Sequence, residues 1–421
     1  MHRTVQHDGS TSDQPSAAHQ CEWPADGCAV RRSAIPRRLA HPLGFANRSG
    51  GSVVVAPTCD TCVNDSLQWV LVCAELVALA VVAPRLVRAA RGGQVLVADV
   101  REAPVGNISV VIPARNEAHR LAECIEPLRG APGVREVIVV DDQSSDATAE
   151  IAREHGAIVV RGAPLPSGWV GKIWALQQGI EAATGDVIVT LDADARPSSS
   201  LPSAAVAALQ RSGAVLGTVA PRFRTTSNAA QWLHASMLTS LVYRHGAGSG
   251  RADGSSVANG QCMVFRRDDA VRDDWCGSVR GEIIEDVALV RRLAREGKPV
   301  EMFDGARLLT VQMFDGFAET WRGWGRSLAL PGIDRPIRQW CDAAVTMLVL
   351  VWPLWSFVFG FASVATAMLL LMRLGTLMGT VRSFERPRIG YWLSPFADLL
   401  AWLVVVRGIV APSREWRGRT Y

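Results

Sequence analysis

The segment EVIVVDDQSSDATAEIAREHGAIVV, Glu136 to Val160, holds an apolar run ending in two carboxylates, a polar turn, a helical stretch and a second apolar run. Val137 to Val140 reads as a short buried strand with Asp141 and Asp142 at its carboxyl end. DATAEIAREHG repeats its apolar residues at three- and four-residue spacing, as one face of a helix does. The same alternation recurs on either side. ISVVIPAR precedes it and DVIVTLDAD follows it, while EAHRLAECIEPLR and KIWALQQGIEAATG supply further helical stretches. Apolar strands with acidic ends, joined by helices, predict an α/β domain over residues 107–314, with a mostly parallel sheet covered by helices on both faces. Ligands of such sheets bind at the carboxyl ends of the strands, which is where the acidic residues fall.

The chain has 421 residues, 48% hydrophobic and 20% charged, which excludes a disordered charged tail, a collagen and a small disulfide scaffold. A net charge of +4 is too mild to argue for nucleic acid, and none is expected as a partner. Nine cysteines are an odd count, and Cys59 and Cys62 form a lone CxxC with no second pair to complete a zinc site. Cys73 and Cys341 lie in or beside apolar runs and read as buried thiols. A reduced, cytoplasmic setting fits the middle of the chain.

The apolar excess is local. Residues 1–65 read as a disordered leader, and 66–90 as a transmembrane helix in which Glu75 is the one charge of the Leu67–Ala83 core. Arg85, Arg88 and Arg91 follow it and put the next domain in the cytoplasm. Residues 315–340 read as an interfacial helix or linker, because Trp321, Trp324, Leu328 and Leu330 alternate with Arg322 and Arg326. Residues 343–381 are long enough for one or two transmembrane helices, and 389–411 for a transmembrane or membrane-associated helix before the basic tail 412–421. Arginines flank 389–411 on both sides, so the charge rule does not fix the topology there. The expected location is the plasma membrane, multi-pass, with the central domain cytoplasmic.

Three acidic groups carry candidate chemistry. Asp141 and Asp142, before small hydroxyl residues, suit hydrogen bonds to a base or ribose, while Ser144 or Ser145 would cap a helix starting near Ala147. Asp192 and Asp194 flank Ala193 at a strand end, where hard cations such as Mg²⁺ or Mn²⁺ take one or two carboxylates plus substrate phosphates. Glu285 and Asp286 open an amphipathic helix; such residues suit the helix dipole, and a cleft-facing Asp286 would also suit a general base. The glycine-rich stretch Gly246 to Ser256 is no dinucleotide fingerprint, since it does not link an apolar strand to a helix; it reads as a flexible loop near an acceptor.

The ordered series VVIPARNE, VVDDQSSD, LDAD and IED resembles the family 2 nucleotide-sugar glycosyltransferases of GT-A fold, over residues 107–330. The resemblance implies a Rossmann-like GT-A domain plus N- and C-terminal transmembrane helices. It implies a nucleoside held by Glu117, with Pro113, Ala114 and Arg115 beside it, and by Asp142 with Asp141 adjacent. It further implies Asp192 and Asp194 as the D-x-D that binds metal and nucleotide, the second carboxylate being the expected ligand. Lys172 would face the nucleotide, and Asp286 beside Glu285 would be the base of an inverting displacement.

PLPSGWVGKIWALQQG, IIEDVALVRRL and FDGFAETWRGWGRSLALPG are similar to the subgroup that glycosylates membrane lipids, including carotenoid (4,4'-diaponeurosporenoate-type) and hopanoid-associated enzymes. The closing REWRGRTY is similar to the tails of lipid-acting relatives. The expectation is transfer of a hexose, glucose first, from a UDP-sugar donor to a hydroxyl or carboxyl of a lipid acceptor in the bilayer. The alternatives are a processive glycan synthase, whose Q-x-x-R-W motif has no clean match here, and a silent nucleotide-sugar binding membrane protein.

Overall fold

The computed structural model describes residues 60–98, 107–246, 250–412, 415–416 and 419–420. The leader expected over 1–65 lies outside the described residues as far as residue 59; from Asp60 onward the chain is helix. The CxxC cysteine Cys59 also lies outside them.

The strands are β1 (Ile108–Ala114), β2 (Val134–Asp141), β3 (Ile158–Arg161), β4 (Val187–Leu191), β5 (Ala195–Pro197), β6 (Leu216–Ala220), β7 (Arg222–Arg224), β8 (Gly250–Arg251), β9 (Cys262–Arg266), β10 (Val300–Asp304) and β11 (Leu309–Gln312). An 8-stranded sheet has the order β3-β2-β1-β4-β9-β6-β10-β8. β9 runs against β4 and β6, and β8 against β10; the other neighbours are parallel. This is the mostly parallel sheet the sequence predicts, with two antiparallel strands. Strand alternation divides the core in two. Val110, Ile112 and Val139 pack with Leu201 and Leu209 on one face, while Val111, Ile138 and Val140 pack with Ile173, Leu176 and Val290 on the other. At Gly179 the helix Gly171–Ala182 approaches β1 and β2 so closely that a Cβ would collide with Val111 and Val140. A small sheet, β5-β11-β7, lies beyond the end of β4.

The registers position the acidic ends. Ala114 pairs with Asp141, so β1 and β2 finish level. Leu191 pairs with Cys262 of the antiparallel β9, which places the turn before β9 beside the end of β4.

Three helices among the described residues are long and apolar enough to cross a membrane: Asp65–Ala90, Pro336–Val358 and Val364–Ser383. Glu75 is buried and accepts hydrogen bonds from Ser363 Oγ at 2.9 Å and Thr366 Oγ1 at 2.8 Å, tying the first of these helices to the last. Arg373 pairs with Asp398 at 2.8 and 3.0 Å, and Ser236 donates to Asp398 at 2.5 Å. Residues 389–411 form two pieces, Ile389–Trp392 and Asp398–Val410. The second has 13 residues, or ~20 Å, short of a ~30 Å hydrocarbon core.

Two expectations are corrected here. Cys73 and Cys341 are exposed, not buried, because an outward face of a bilayer helix is as apolar as a protein core. Nor is Gly246–Ser256 one loop: Gly250–Arg251 is the edge strand paired with Met302 and Glu301 of β10, and the Ser255 and Ser256 carbonyls accept from Arg291. Residues 247–249 lie outside the described residues.

Candidate active site

The carboxyl ends of β1 and β2 form one side of the cleft. Asp142 N donates to Ala114 O at 2.9 Å, and Arg115 Nη1 donates to the carbonyls of Asp142 at 2.6 Å and Gln143 at 3.2 Å. Pro113 and Ala114 end β1 beneath them, fully enclosed in the sheet. Glu117 is buried, and its N–H donates to Thr148 Oγ1 at 2.9 Å. Asp141 accepts from Ser144 N at 3.1 Å. Asn116 and Gln143 both adopt left-handed backbone, at φ 54 and 56°, which side chains other than glycine enter at a cost and which clusters at ligand sites.

The serines do not cap a helix. The helix is Thr148–Glu154, starting where expected, but its N-cap is Ala147, which has no capping side chain. Ser144 Oγ instead accepts from Asn116 N at 3.0 Å, and Ser145 N donates to Asn116 Oδ1 at 2.8 Å, clasping the β1 and β2 loops together. Asp146 takes the capping bond, accepting from Thr148 N at 3.1 Å.

The other side is built from β4, β9 and two helices. Lys172, in the first turn of Gly171–Ala182, places Nζ 2.9 Å from Asp192 Oδ1 and 3.0 Å from Glu285 Oε1. It is therefore a buried bridge and not a solvated surface lysine. Burial alone favours its neutral form, but Asp192, Glu285 and Asp286 outweigh that and hold it well above the usual lysine range. Asp194 lies beyond the strand end, 4.0 Å from Arg120 Nη1.

Asp286 is fixed by two backbone donors, Gly260 N at 2.6 Å to Oδ2 and Val287 N at 2.8 Å to Oδ1. Burial, reinforced by the charge of Glu285, pushes its carboxyl up to about 7, against the opposing pull of Lys172 and these donors. The turn that supplies Gly260 also accepts Asp192 N at Gln261 O, at 3.0 Å. One turn thus sets the spacing between the D-x-D and Asp286. A Cβ on Gly260 would stand 2.9 Å from Asp286 Oδ2, so the position excludes a side chain. Gly260 was not among the expected site residues; a lone glycine before a strand gives no signal of its own.

The structure therefore gathers Lys172, Asp192, Glu285 and Asp286 into one contact network, with Asp194 at its rim. Arg115, Asp141 and Asp142 form a second group, to which Arg419 of the tail adds a contact: its Nη1 lies 2.8 Å from Asp142 Oδ2. Among the described residues no group of three or more His, Cys, Asp or Glu forms a ready metal cage.

The family model described as Glycosyl transferase family 2 matches residues 109–272. A 4,4'-diaponeurosporenoate glycosyltransferase of Staphylococcus haemolyticus (strain JCSC1435) is 29% identical over 257 residues, covering 58% of this chain and 66% of that protein. The protein of the same name from Staphylococcus aureus (strain USA300) is 28% identical over 231 residues, covering 53% and 60%. The chain thus spans slightly less than two thirds of these relatives. Among solved structures, a mannosyltransferase from Pyrobaculum calidifontis in complex with GDP-Man and Mn²⁺ aligns at TM-score 0.49 and 16% identity, over 82% of this chain and 99% of that one. Glucosyl-3-phosphoglycerate synthase from Mycobacterium tuberculosis, in complex with Mn²⁺ and UDP-glucose, aligns at TM-score 0.34 and 22% identity, over 49% and 70%.

Proposed function

We propose that this chain is a membrane-bound, inverting glycosyltransferase that moves a hexose, glucose first, from a UDP-sugar to a hydroxyl or carboxyl group of a lipid such as a carotenoid or hopanoid-type acceptor. The observation that carries the proposal is the Lys172 bridge. It joins the D-x-D carboxylate Asp192 to Glu285, next to a carboxyl pushed up to about 7. A donor diphosphate and a proton acceptor are needed side by side in such a transfer, and a base whose value lies near neutrality suits proton abstraction at physiological pH.

Asp192 and Asp194 offer oxygen ligands only, and a pair of carboxylates suits a hard cation that draws its remaining ligands from phosphates. With Asp192 engaged by Lys172, Asp194 is the residue proposed to hold Mg²⁺ or Mn²⁺. When bound, the ion neutralises the diphosphate leaving group. The protein does the rest. Asp142, with Asp141, Glu117 and Arg115 around it, holds the nucleoside above Pro113 and Ala114. Lys172 positions the carboxylates on both sides of the sugar. Asp286, oriented by Gly260, takes the acceptor proton as the hydroxyl attacks opposite the departing diphosphate.

The lipid acceptor is supported by the names of the curated relatives and by the three apolar helices around the domain. The helix Phe317–Ser327 joins the two, packing Trp324 on His234 with Nε1 3.1 Å from Nδ1. It leads through buried Leu328 and Leu330 to Ile284 and Val287, which flank Asp286.

Membranes containing the chain, incubated with UDP-glucose, Mn²⁺ or Mg²⁺ and a lipid and pigment extract, test the proposal. Mass spectrometry should find a hexosylated lipid that is lost in Asp194→Ala. A product unchanged by that substitution would refute the role given to the D-x-D, and a polymeric product would refute single transfer.

A further inference from the structure

The tail and the nucleoside-side carboxylate are 277 residues apart in sequence yet in direct contact. Strands β12 (Glu415–Trp416) and β13 (Arg419–Thr420) pair as a small antiparallel hairpin, with Trp416 opposite Arg419. Arg419 Nη1 donates to both oxygens of Asp142, at 2.8 and 3.1 Å, and Nη2 donates to Gln143 Oε1 at 3.0 Å. Beneath this guanidinium the Asp142 side chain is 2% exposed, while Arg419 itself is 18% exposed. The carboxylate is thus closed to solvent, and its charged cover lies nearer to solvent than the group it covers. Gln143, the second partner, holds its left-handed backbone at this point, where strain is retained only if the surroundings enforce it.

Resting on the donor-site reading above, we propose that the C-terminal tail is a built-in occupant of the nucleoside subsite: Arg419 holds Asp142 until a nucleoside diphosphate displaces it. A base N–H or ribose hydroxyl can reach the Asp142 oxygens only as the guanidinium leaves. Asp142 is buried, and burial raises its carboxyl above the ordinary range even with Arg419 opposing it. It therefore exchanges one hydrogen-bonding partner for another and is never left bare. Arg115, which binds the Asp142 carbonyl and not its carboxylate, keeps the loop in place during the exchange. Donor entry and tail release become one coupled step, so the tail lowers the apparent donor affinity by the fraction of time it is seated.

Calorimetric titration of the full chain in nanodiscs with UDP and Mn²⁺ decides the matter. Arg419→Ala should bind UDP about tenfold more tightly than wild type, and adding Asp142→Ala to Arg419→Ala should weaken binding about tenfold relative to Arg419→Ala alone. Equal or weaker binding by Arg419→Ala, with the double variant weaker still, would overturn the tail's role and leave the donor site standing. A double variant that binds like Arg419→Ala would overturn the donor-site reading and the tail proposal with it. A readout without mutation uses brief trypsin digestion of the wild type. Saturating UDP should speed cleavage after Arg419, and slower or unchanged cleavage would count against displacement.

Discussion

Asp286 meets two opposing demands, since its surroundings penalise the charge that its proposed chemistry requires. Burial and Glu285 raise its carboxyl to about 7, above the ~3.9 of an unfolded chain. Stability from such a group is fully present below the unfolded value and is lost as pH rises through the folded one. Asp286→Asn should therefore melt several degrees above wild type at about pH 8, with the gap closing toward about pH 4, as thermal scans across pH would show. The same variant should lose more than about a hundredfold in rate with a hydroxyl acceptor, and far less with a carboxylic acid that is already ionised. Gly260→Ala tests the orientation of the base. Its Cβ would press on Asp286 from 2.9 Å, so kcat should fall about tenfold or more while UDP affinity stays unchanged. Lys172→Met removes the cation that holds Asp286 down, and the acid limb of the rate profile should move to higher pH, by about one unit. Asp141, Asp142 and Asp192 stand out in the sequence because they end apolar runs, and Glu285 and Asp286 because they open an amphipathic helix. Gly260 and the double pairing of Lys172 do not, since both depend on backbone brought together from distant segments.

Strands and crossover helices are legible from period alone, and the acidic strand ends follow from them. What joins one element to another is less legible. Ser144 and Ser145 look like caps in isolation but clasp Asn116, because the loop after β1 lies within their reach and the N-cap position falls on Ala147. Glu75 reads as a stray charge in a span until Thr366, 291 residues away, donates to it. The Arg373–Asp398 pair is of the same kind and joins Val364–Thr380 to Asp398–Val410. Removing one member leaves the other charge buried, so Arg373→Met should cost about 3–5 kcal/mol. Arg373→Met with Asp398→Leu should recover most of that loss, and thermal unfolding in nanodiscs measures both. A double variant that loses as much as Arg373→Met and Asp398→Leu do separately, added together, would mean that the pair carries no coupling.

At the scale of the whole molecule, the broken segment over 389–411 removes the conflict left by its flanking arginines. A helix of 13 residues is too short to cross, so Arg382, Arg386 and Arg388 can share a side with Arg419. If Asp65–Ala90, Pro336–Val358 and Val364–Ser383 all cross, the α/β domain lies between the first and second crossings, and the third returns the chain to the side of that domain. Arginine follows the first and third helices, and on that topology we propose, from the positive-inside rule, that the shared side is the cytoplasm. The Arg419–Asp142 contact requires the same parity, since a tail on the opposite face could not reach β2. A fluorescent-protein fusion after Tyr421 should therefore be bright, and alkaline phosphatase inserted near Phe361, between the second and third helices, should be active. A cysteine placed near Phe361 should react with a membrane-impermeant maleimide in intact cells, and one in the catalytic domain should react only after lysis. A dark fusion with an active phosphatase at the tail would require an even number of crossings and would separate Arg419 from Asp142 by the bilayer.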